Sequence, residues 1–224
     1  MLAILSDIHG NYPALQAVLE DMRKYPITDI ICLGDICGYY AMVNECIDCL
    51  RSHNIVSLKG NHDCYLLGEL QCERSKTVTK CIEFQKKVIT KGNLDWLKTL
   101  HCQRETPIYA AVHGGWKDPI DEYILGDFDF TYVKRQYPSL HIFLSGHTHI
   151  PTIQTKDKDI YCNPGAVGQP RDYDARASYA IYDGQKMEIH RVAYNIDEIC
   201  QVMKDKGFDA YTYENLYHGV KIGG

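Results

Sequence analysis

The sequence predicts an α/β domain with a largely parallel sheet. Two observations support this: short apolar runs alternate with amphipathic helical patterns, and 45% of the 224 residues are hydrophobic, enough to bury a sizeable core. Strands separated by helices are typical of this fold class. The predicted strands are Leu2–Leu5, Ile30–Leu33, Ile55–Leu58, Ile108–Val112 and Ile142–Leu144.

Helices are predicted between these strands. Asn11 follows the first strand as a candidate N-cap, and the apolar face of its helix contains Leu15, Val18, Leu19 and Met22. We expect Asn44 to cap a second helix. The polar, Lys-rich stretch 64–107 predicts a helix around Thr77–Thr90 and another after Asn93, the latter with Trp96, Leu97 and Leu100 facing inward.

The pattern changes after residue 160. Asp183-Gly184 separates Ser178–Tyr182 from Met187–Tyr194, which predicts a β-hairpin. A helix over Ile196–Lys206 and a Tyr- and Gly-rich tail are expected to follow. Because neither a linker nor a repeat is visible, we expect one domain over residues 1–224, with a core at 1–170 and the hairpin, helix and tail at 171–224.

Charge and cysteine usage narrow the function classes. The formal net charge is −5, which argues against a broad nucleic-acid or membrane-binding surface. We find neither a signal-peptide pattern nor a run of the roughly 18–20 apolar residues that span a bilayer. Ten scattered cysteines favour reduced thiols and the cytoplasm. Cys46 belongs to a Cys-x-x-Cys pair, but it shares a helical face with Val43, Ile47 and Leu50, so we expect a core residue.

Polar residues concentrate where the predicted strands end. In an open parallel sheet the carboxyl ends of the strands share one edge, so these clusters are expected to converge. Asp-x-His and His-x-His pairs would also point to one side of an extended backbone. The clusters are Ser6-Asp7-Ile8-His9, Gly34-Asp35, Gly60-Asn61-His62-Asp63, His113-Gly114 and Gly146-His147-Thr148-His149.

Taken together, the clusters predict a metal site. Singly, Asp7 could cap a helix, Asp35 could serve a turn, and His113 could be a core histidine. Imidazole, carboxylate and amide donors suit Mn, Fe, Zn, Co or Ni. Seven protein groups plus water can serve two ions, and a centre with two carboxylates keeps a positive charge that attracts phosphate.

The ordered motifs resemble the calcineurin-like metallophosphoesterase superfamily, in particular its compact microbial phosphodiesterase and phosphatase branch. The resemblance covers about residues 1–170 and implies a four-layer αββα sandwich. It also implies two divalent or trivalent ions, with Mn or Fe favoured. Asp7, His9 and His149 would hold the first ion, and Asn61, His113 and His147 the second, with Asp35 bridging. His62 would protonate the leaving oxygen or stabilise the transferring phosphoryl group. Asp63 would either orient or charge-balance His62, or cap the following segment.

The implied activity is hydrolysis of phosphate mono- or diesters of small molecules or nucleotides by a metal-bridging hydroxide. Asp35 is followed by Ile36-Cys37-Gly38-Tyr39-Tyr40 and not by a Val-Asp-Arg-Gly type sequence, which argues against a serine/threonine protein phosphatase. The alternatives are a dinucleoside polyphosphate hydrolase, an RNA or DNA phosphodiesterase, and a non-catalytic binding module. Modest Lys/Arg clustering at 74–91 gives the nuclease little support, and the retained histidines argue against the module.

Three features allow two interpretations each. The glycines of Asn163–Asp172 could set a tight turn that packs the metal-site strand, while Arg171 could bind substrate phosphate. Tyr39, Tyr40 and Trp116 could stack on a nucleobase or pack in the core; we carry Tyr39 forward as a candidate substrate contact. The late hairpin and the tail could supply an oligomer interface.

Overall fold

The computed structural model of the chain describes residues 1–72 and 75–223. Arg74, at the edge of the Lys/Arg cluster, therefore lies outside the described residues. The strands are β1 (Leu2–Leu5), β2 (Asp29–Cys32), β3 (Val56–Ser57), β4 (Gln103–Glu105), β5 (Tyr109–Val112), β6 (Ile142–Leu144), β7 (Thr152–Lys156), β8 (Asp159–Asn163), β9 (Ala177–Tyr182) and β10 (Met187–Val192). The helices are α1 (Tyr12–Met22), α2 (Val43–Ser52), α3 (Asn61–Leu67), α4 (Lys76–Val88), α5 (Lys91–Lys98), α6 (Phe130–Gln136) and α7 (Ile196–Asp205).

The strands form two five-stranded sheets. The first has the order β10-β9-β1-β2-β3 and the second has the order β4-β5-β6-β8-β7. In each, three adjacent strands are parallel (β1, β2 and β3; β5, β6 and β8) and the others are antiparallel. The prediction of parallel pairing is confirmed for the predicted strands, but they divide between two mixed sheets.

The two sheets pack face to face between helices. Along β1, Leu2 and Ile4 join a core cluster with Ile142 and Leu144 of the other sheet, whereas Ala3 and Leu5 pack towards α1 and α2. This alternation follows from the two-residue period of a strand. On the far side, Ala110, Val112 and Phe143 pack against Phe130 and Val133 of α6. The four-layer αββα sandwich is confirmed.

Of the two predicted helix caps, Asn11 and Asn44, only Asn11 acts as one. The Asn11 side chain accepts a hydrogen bond from the backbone N–H of Ala14, so its predicted capping role is confirmed. Asn44 does not cap α2; its side-chain oxygen accepts from Thr90 N and Asn93 Nδ2 and thereby joins α2 to α5. Helices α4 and α5 begin after the caps Ser75 and Thr90.

The C-terminal segment completes the first sheet. The predicted hairpin is confirmed, because β9 and β10 pair across a turn in which Asp183 Oδ1 accepts the backbone N–H groups of Gln185 and Lys186. β9 also pairs with β1, so residues after 171 belong to the sheet that carries the first polar cluster. Helix α7 and two 3₁₀ turns, Ala210–Thr212 and Glu214–Tyr217, follow.

Two further sequence expectations concern cysteines and membranes. All ten cysteines are free, and Cys46 is fully buried in the core cluster between β1 and the helices, as predicted. Within the described residues, each helix is either too short or too polar to cross a bilayer.

Candidate metal centre

The strand ends of both sheets bring the predicted ligands together. Each predicted ligand side chain is at least 95% buried, and their donor atoms form three groups whose members lie within 4.8 Å of one another. The Asn61 Oδ1 atom lies 3.1 Å from His113 Nε2, which places the amide beside the third group. The three groups are Asp7 with His9 and His149, His9 with Asp35 and His62, and Asp35 with His113 and His147.

The backbone at this centre is left-handed. The φ angles are 56° at Asp7, 53° at His9, 53° at Asp35, 67° at His147 and 62° at His149. The expectation that Asp-x-His and His-x-His pairs sit on extended backbone is therefore wrong. Because non-glycine residues seldom adopt positive φ, and do so mainly where surrounding structure forces it, this concentration marks the centre as a functional site.

Backbone N–H groups orient the two carboxylates. Asp7 Oδ2 accepts from His147 N at 3.0 Å, and Asp35 Oδ1 accepts from His62 N at 2.8 Å. The remaining oxygen of each carboxylate faces imidazole nitrogens: Asp7 Oδ1 is 3.1 Å from His149 Nε2, and Asp35 Oδ2 is 3.4 Å from His113 Nε2. Each aspartate thus presents one oxygen to the centre.

Backbone carbonyls fix the tautomers of three histidines. The Nδ1 atoms of His9, His113 and His149 lie 2.8, 3.0 and 2.6 Å from the carbonyl oxygens of Cys37, Leu33 and Gln169, respectively. A carbonyl oxygen can only accept, so each Nδ1 carries the hydrogen and donates it. In the neutral rings the Nε2 lone pairs then point into the centre, the arrangement of metal-ligating histidines.

The facing lone pairs suit a cation. The Nε2 atoms of His9 and His149 lie 3.1 Å apart, and in these tautomers neither has a hydrogen to share. Asp7 Oδ1 and His147 Nε2 are buried without a hydrogen-bond partner in the described chain. Orphaned buried polar atoms are costly, and a metal ion would satisfy them. The donor set therefore fits one or more metal ions of the Mn, Fe or Zn type.

Electrostatics favour ionised aspartates and neutral histidines. Burial alone would raise the pKa of Asp7, but the neighbouring His149 and His9 hold it well below its usual value. Burial lowers the pKa of His147 to about 3 and that of His149 to about 4. His113 differs: burial acts to lower its pKa, yet the Asp35 charge raises it to about 9. A metal ion bound here would have to displace that proton.

His62 belongs to the second of the three groups although it was not predicted as a ligand, and Asp63 follows it in the chain. The His62 ring packs against His9 and Tyr39, its Nε2 atom lies 4.0 Å from Asp35 Oδ2, and its buried Nδ1 atom has no hydrogen-bond partner among the described residues. The Asp63 carboxylate accepts the backbone N–H groups of Gly60 and Cys37, at 2.9 Å each. Of its two predicted roles, the geometry supports capping and not orientation of His62.

The candidate substrate residues separate into two groups. Tyr39 contacts the centre: its ring centroid is 4.7 Å from that of His9, and its hydroxyl accepts from Arg171 Nη2 at 2.9 Å. Tyr40 and Trp116 do not, because Tyr40 is buried under the tail and Trp116 packs with Phe128 in the core of the second sheet. For these two, core packing is the correct interpretation.

The segment Asn163–Asp172 braces the first ligand loop. A Cβ on Gly168 would lie 1.9 Å from the carbonyl oxygen of Ile8, and the Gly168 N–H donates to Asp7 O at 2.9 Å. The structural role expected for these glycines is confirmed. Gln169 was not predicted as a site residue, yet its carbonyl fixes His149; main-chain contacts of this kind leave no side-chain signal in a sequence.

Two more neighbours were missed. Asp121 Oδ1 lies 3.4 Å from His147 Nε2, and the Tyr123 ring centroid is 3.9 Å from that of His147. Both residues belong to the irregular segment between β5 and α6, where periodicity gives no information.

Comparison with known proteins identifies relatives along the whole chain. Residues 1–187 match the calcineurin-like phosphoesterase superfamily domain. An uncharacterized protein of Methanocaldococcus jannaschii is 36% identical, over 98% of each chain. The crystal structure of a metallophosphoesterase from Sphaerobacter thermophilus superimposes with a TM-score of 0.82 at 31% identity, over 98% of each chain. That of a hypothetical protein from Pyrococcus horikoshii gives 0.85 at 22% identity, over 99% of this chain and all of that one.

Proposed function

Because this chain belongs to the calcineurin-like phosphoesterase superfamily, we propose that it is a dinuclear-metal phosphoesterase acting on phosphate mono- or diesters of small molecules or nucleotides. The observation that carries the proposal is the pair of facing Nε2 atoms of His9 and His149, each ring locked by a carbonyl behind it. A metal ion between the rings would stabilise such a pair, and Asp35 extends the donor set towards His113 and His147.

The ligands divide into two half-sites. The first half-site consists of Asp7, His9 and His149; the second half-site consists of Asn61, His113 and His147. Asp35 is the candidate bridge, because its Oδ2 atom lies 3.7 Å from His9 Nε2 and 3.4 Å from His113 Nε2. We favour Mn or Fe as the ions. When bound, they would lower the pKa of water and polarise phosphoryl oxygens.

His62 is the candidate general acid. Its Nε2 atom faces the centre from outside the two half-sites, 4.0 Å from the bridging carboxylate. Burial lowers the pKa of His62 well below its usual value in the metal-free chain. A phosphate dianion in the site would favour the protonated ring, so substrate binding itself would help to charge the acid. His62 would then give a proton to the leaving oxygen.

The remaining proposals concern the whole protein. We propose that residues 1–224 form one domain, since β9 pairs directly with β1 and the tail packs on Tyr40. We also propose a cytoplasmic location, for which ten free cysteines are the support. Small phosphate esters or nucleotides are the proposed partners.

Metal analysis and a substrate panel test this function. Purified protein should contain about two ions per chain and, in Mn²⁺, should hydrolyse p-nitrophenyl phosphate, its bis-ester, cyclic nucleotides or diadenosine tetraphosphate. The variant His113→Asn should lose metal and activity. The matched control is His141→Asn, which removes a histidine paired with Asp159 away from the centre. Metal-free protein, or metal-loaded protein inert towards the whole panel, would refute the proposal.

A further inference from the structure

A small cavity adjoins the candidate metal centre. It has a volume of about 180 Å³ and is lined by Tyr39, Ser75, Thr77, Arg171, Lys221 and Ile222. The lining brings together the segment after β2, the start of α4, the loop before β9 and the end of the described tail. Resting on the proposed function, we propose that this cavity binds a further phosphate group of the substrate, so that the natural substrate is a phosphate ester carrying at least one additional phosphate.

Tyr39 and Arg171 connect the cavity to the centre. The Tyr39 ring packs on His9 and His62, with centroid distances of 4.7 and 4.8 Å, while its hydroxyl receives the Arg171 hydrogen bond. The Arg171 backbone N–H donates to the carbonyl of His149 at 3.2 Å. The cavity is thus one tyrosine side chain away from the metal ligands, a separation that a chain of linked phosphates can span.

Within the described residues, two cations of the cavity have no carboxylate partner. Arg171 donates from Nε and Nη2 to the neutral acceptors Gln169 Oε1 and Tyr39 Oη, and among residues 1–72 and 75–223 no acidic side chain pairs with it or with Lys221. The nearby arginines at 176 and 191 behave differently, since they pair with Asp174 and Asp172.

The other lining groups match phosphate. Ser75 and Thr77 supply hydroxyl groups; the Ser75 oxygen accepts from Val78 N, and its own hydrogen has no acceptor among the described residues. Arg171 and Lys221 provide the charge, and guanidinium is suited to bidentate phosphate binding. Charged and hydroxyl groups in the lining match a phosphate group better than a nucleobase, so we assign the cavity to the phosphate chain and not to the base.

Substrate kinetics test the subsite through Lys221. In Mn²⁺, Lys221→Met should raise KM for diadenosine tetraphosphate by about five- to tenfold, with kcat and the KM for p-nitrophenyl phosphate within about twofold of wild type. Lys221→Arg should restore the low KM. The control Lys158→Met removes an exposed lysine from the turn between β7 and β8 and should change neither constant. An unchanged KM for diadenosine tetraphosphate, or an equal rise for both substrates, would overturn the assignment.

A binding experiment separates this inference from the proposed function. Calorimetry on Mn²⁺-loaded protein at fixed free Mn²⁺ compares inorganic phosphate with tripolyphosphate. Lys221→Met should weaken tripolyphosphate by about fivefold and leave phosphate unchanged. Equal tripolyphosphate affinity in both proteins would refute the subsite even if hydrolysis is observed. A weakened tripolyphosphate complex without any turnover would instead refute the proposed function. Weaker binding of inorganic phosphate as well would indicate a separate anion site, against the inference.

Discussion

The two half-sites differ in how firmly their ligands are held. In the first half-site both histidines donate Nδ1–H to backbone carbonyls, and all three ligands are at least 98% buried. In the second half-site the His113 ring is tied in this way, but among the described residues no such carbonyl contact holds the His147 ring. The His147 ring instead faces Asp121 and Tyr123.

The centre therefore combines two kinds of half-site. The first half-site, whose ligands are held by the backbone, is called the fixed half, and the second half-site, whose His147 ring is less constrained, is called the adaptable half. Ligand atoms already oriented by the backbone lose little freedom when an ion binds, so we expect the first half-site to bind its ion more tightly. Through Asp121 and Tyr123 the adaptable half contacts the segment between β5 and α6, which also lines a neighbouring pocket.

Asp35→Asn should have the largest effect. Asp35 is a member of two candidate ligand groups, one that includes His62 and one that includes His147. The amide replacement removes a negative charge that both proposed ions require. We expect metal content to fall from about two ions to fewer than one per chain, and activity to fall by more than about 10⁴-fold. Elemental analysis after dialysis and p-nitrophenyl phosphate turnover measure the two effects.

Asp157→Asn is the matched control for that change. Asp157 is exposed and has a φ of 54°, close to the 53° of Asp35, so the pair differs in surroundings and not in backbone conformation. The control should keep both ions and full activity. If Asp35→Asn lost only one ion, Asp35 would belong to one half-site and the bridging role would be wrong.

His62→Asn should have the next largest effect and should separate chemistry from metal binding. Because the ring lies outside both half-sites, we expect metal content to stay near two ions per chain while kcat falls by about 10²–10⁴-fold. Substrates with good leaving groups, such as p-nitrophenyl phosphate, should suffer less than alkyl phosphates, since they need less protonation. A parallel loss of metal would show that His62 is a ligand.

For the fixed half, the sequence predicted the ligand residues but not the geometry that holds them. The ligand residues were predictable, because Asp7, His9 and His149 follow apolar runs in recognisable motifs. Their left-handed backbone, the carbonyl partners of their rings and the bracing by Gln169 were not, since these depend on main-chain contacts between segments distant in sequence. The division of the strands into two sheets was likewise missed from periodicity alone and was supplied by the family resemblance.

The same limit applies to the fold around the centre. β1 was predictable because Leu2–Leu5 is short, apolar and buried. β4 is made of the three exposed polar residues Gln103–Glu105 and is defined only by its pairing with β5, so nothing in its composition indicates a strand. At Asn44 the residue type was misleading in the opposite way. Asparagine is a good helix cap, but the Asn44 side chain connects two helices instead.

Gly38→Ala should disturb the fixed half with an intermediate effect. A Cβ at this position would lie 2.3 Å from His9 Nδ1 and 2.7 Å from His62 Nδ1, so the His9 ring must leave its carbonyl partner. We expect the first ion to bind about 10- to 100-fold more weakly, as for loss of an outer-shell partner. Titration with Mn²⁺ against a fluorescent chelator resolves the two binding steps.

Gly184→Ala is the matched control for backbone strain. Gly184 has a φ of 103°, against 135° for Gly38, and nothing lies within 4 Å of its added Cβ. Both variants should lose about 1–3 kcal/mol of stability in urea unfolding, but only Gly38→Ala should weaken metal binding. Equal metal affinity in the two variants would show that the fixed half adapts after all.

Asp121→Asn should have the smallest effect and should be confined to the adaptable half. Its carboxylate lies 3.4 Å from His147 Nε2 and adds negative charge beside the second half-site, but at 22% exposure water screens part of that charge. We expect about tenfold weaker binding of the second ion, the lower end of the range for outer-shell groups, with the first ion unaffected. Asp127→Asn, from the wall of the neighbouring pocket, is the control. Equal weakening of both Mn²⁺ binding steps would mean that the centre responds as one unit. The two half-sites would then differ in how their ligands are held but not in how tightly they bind metal.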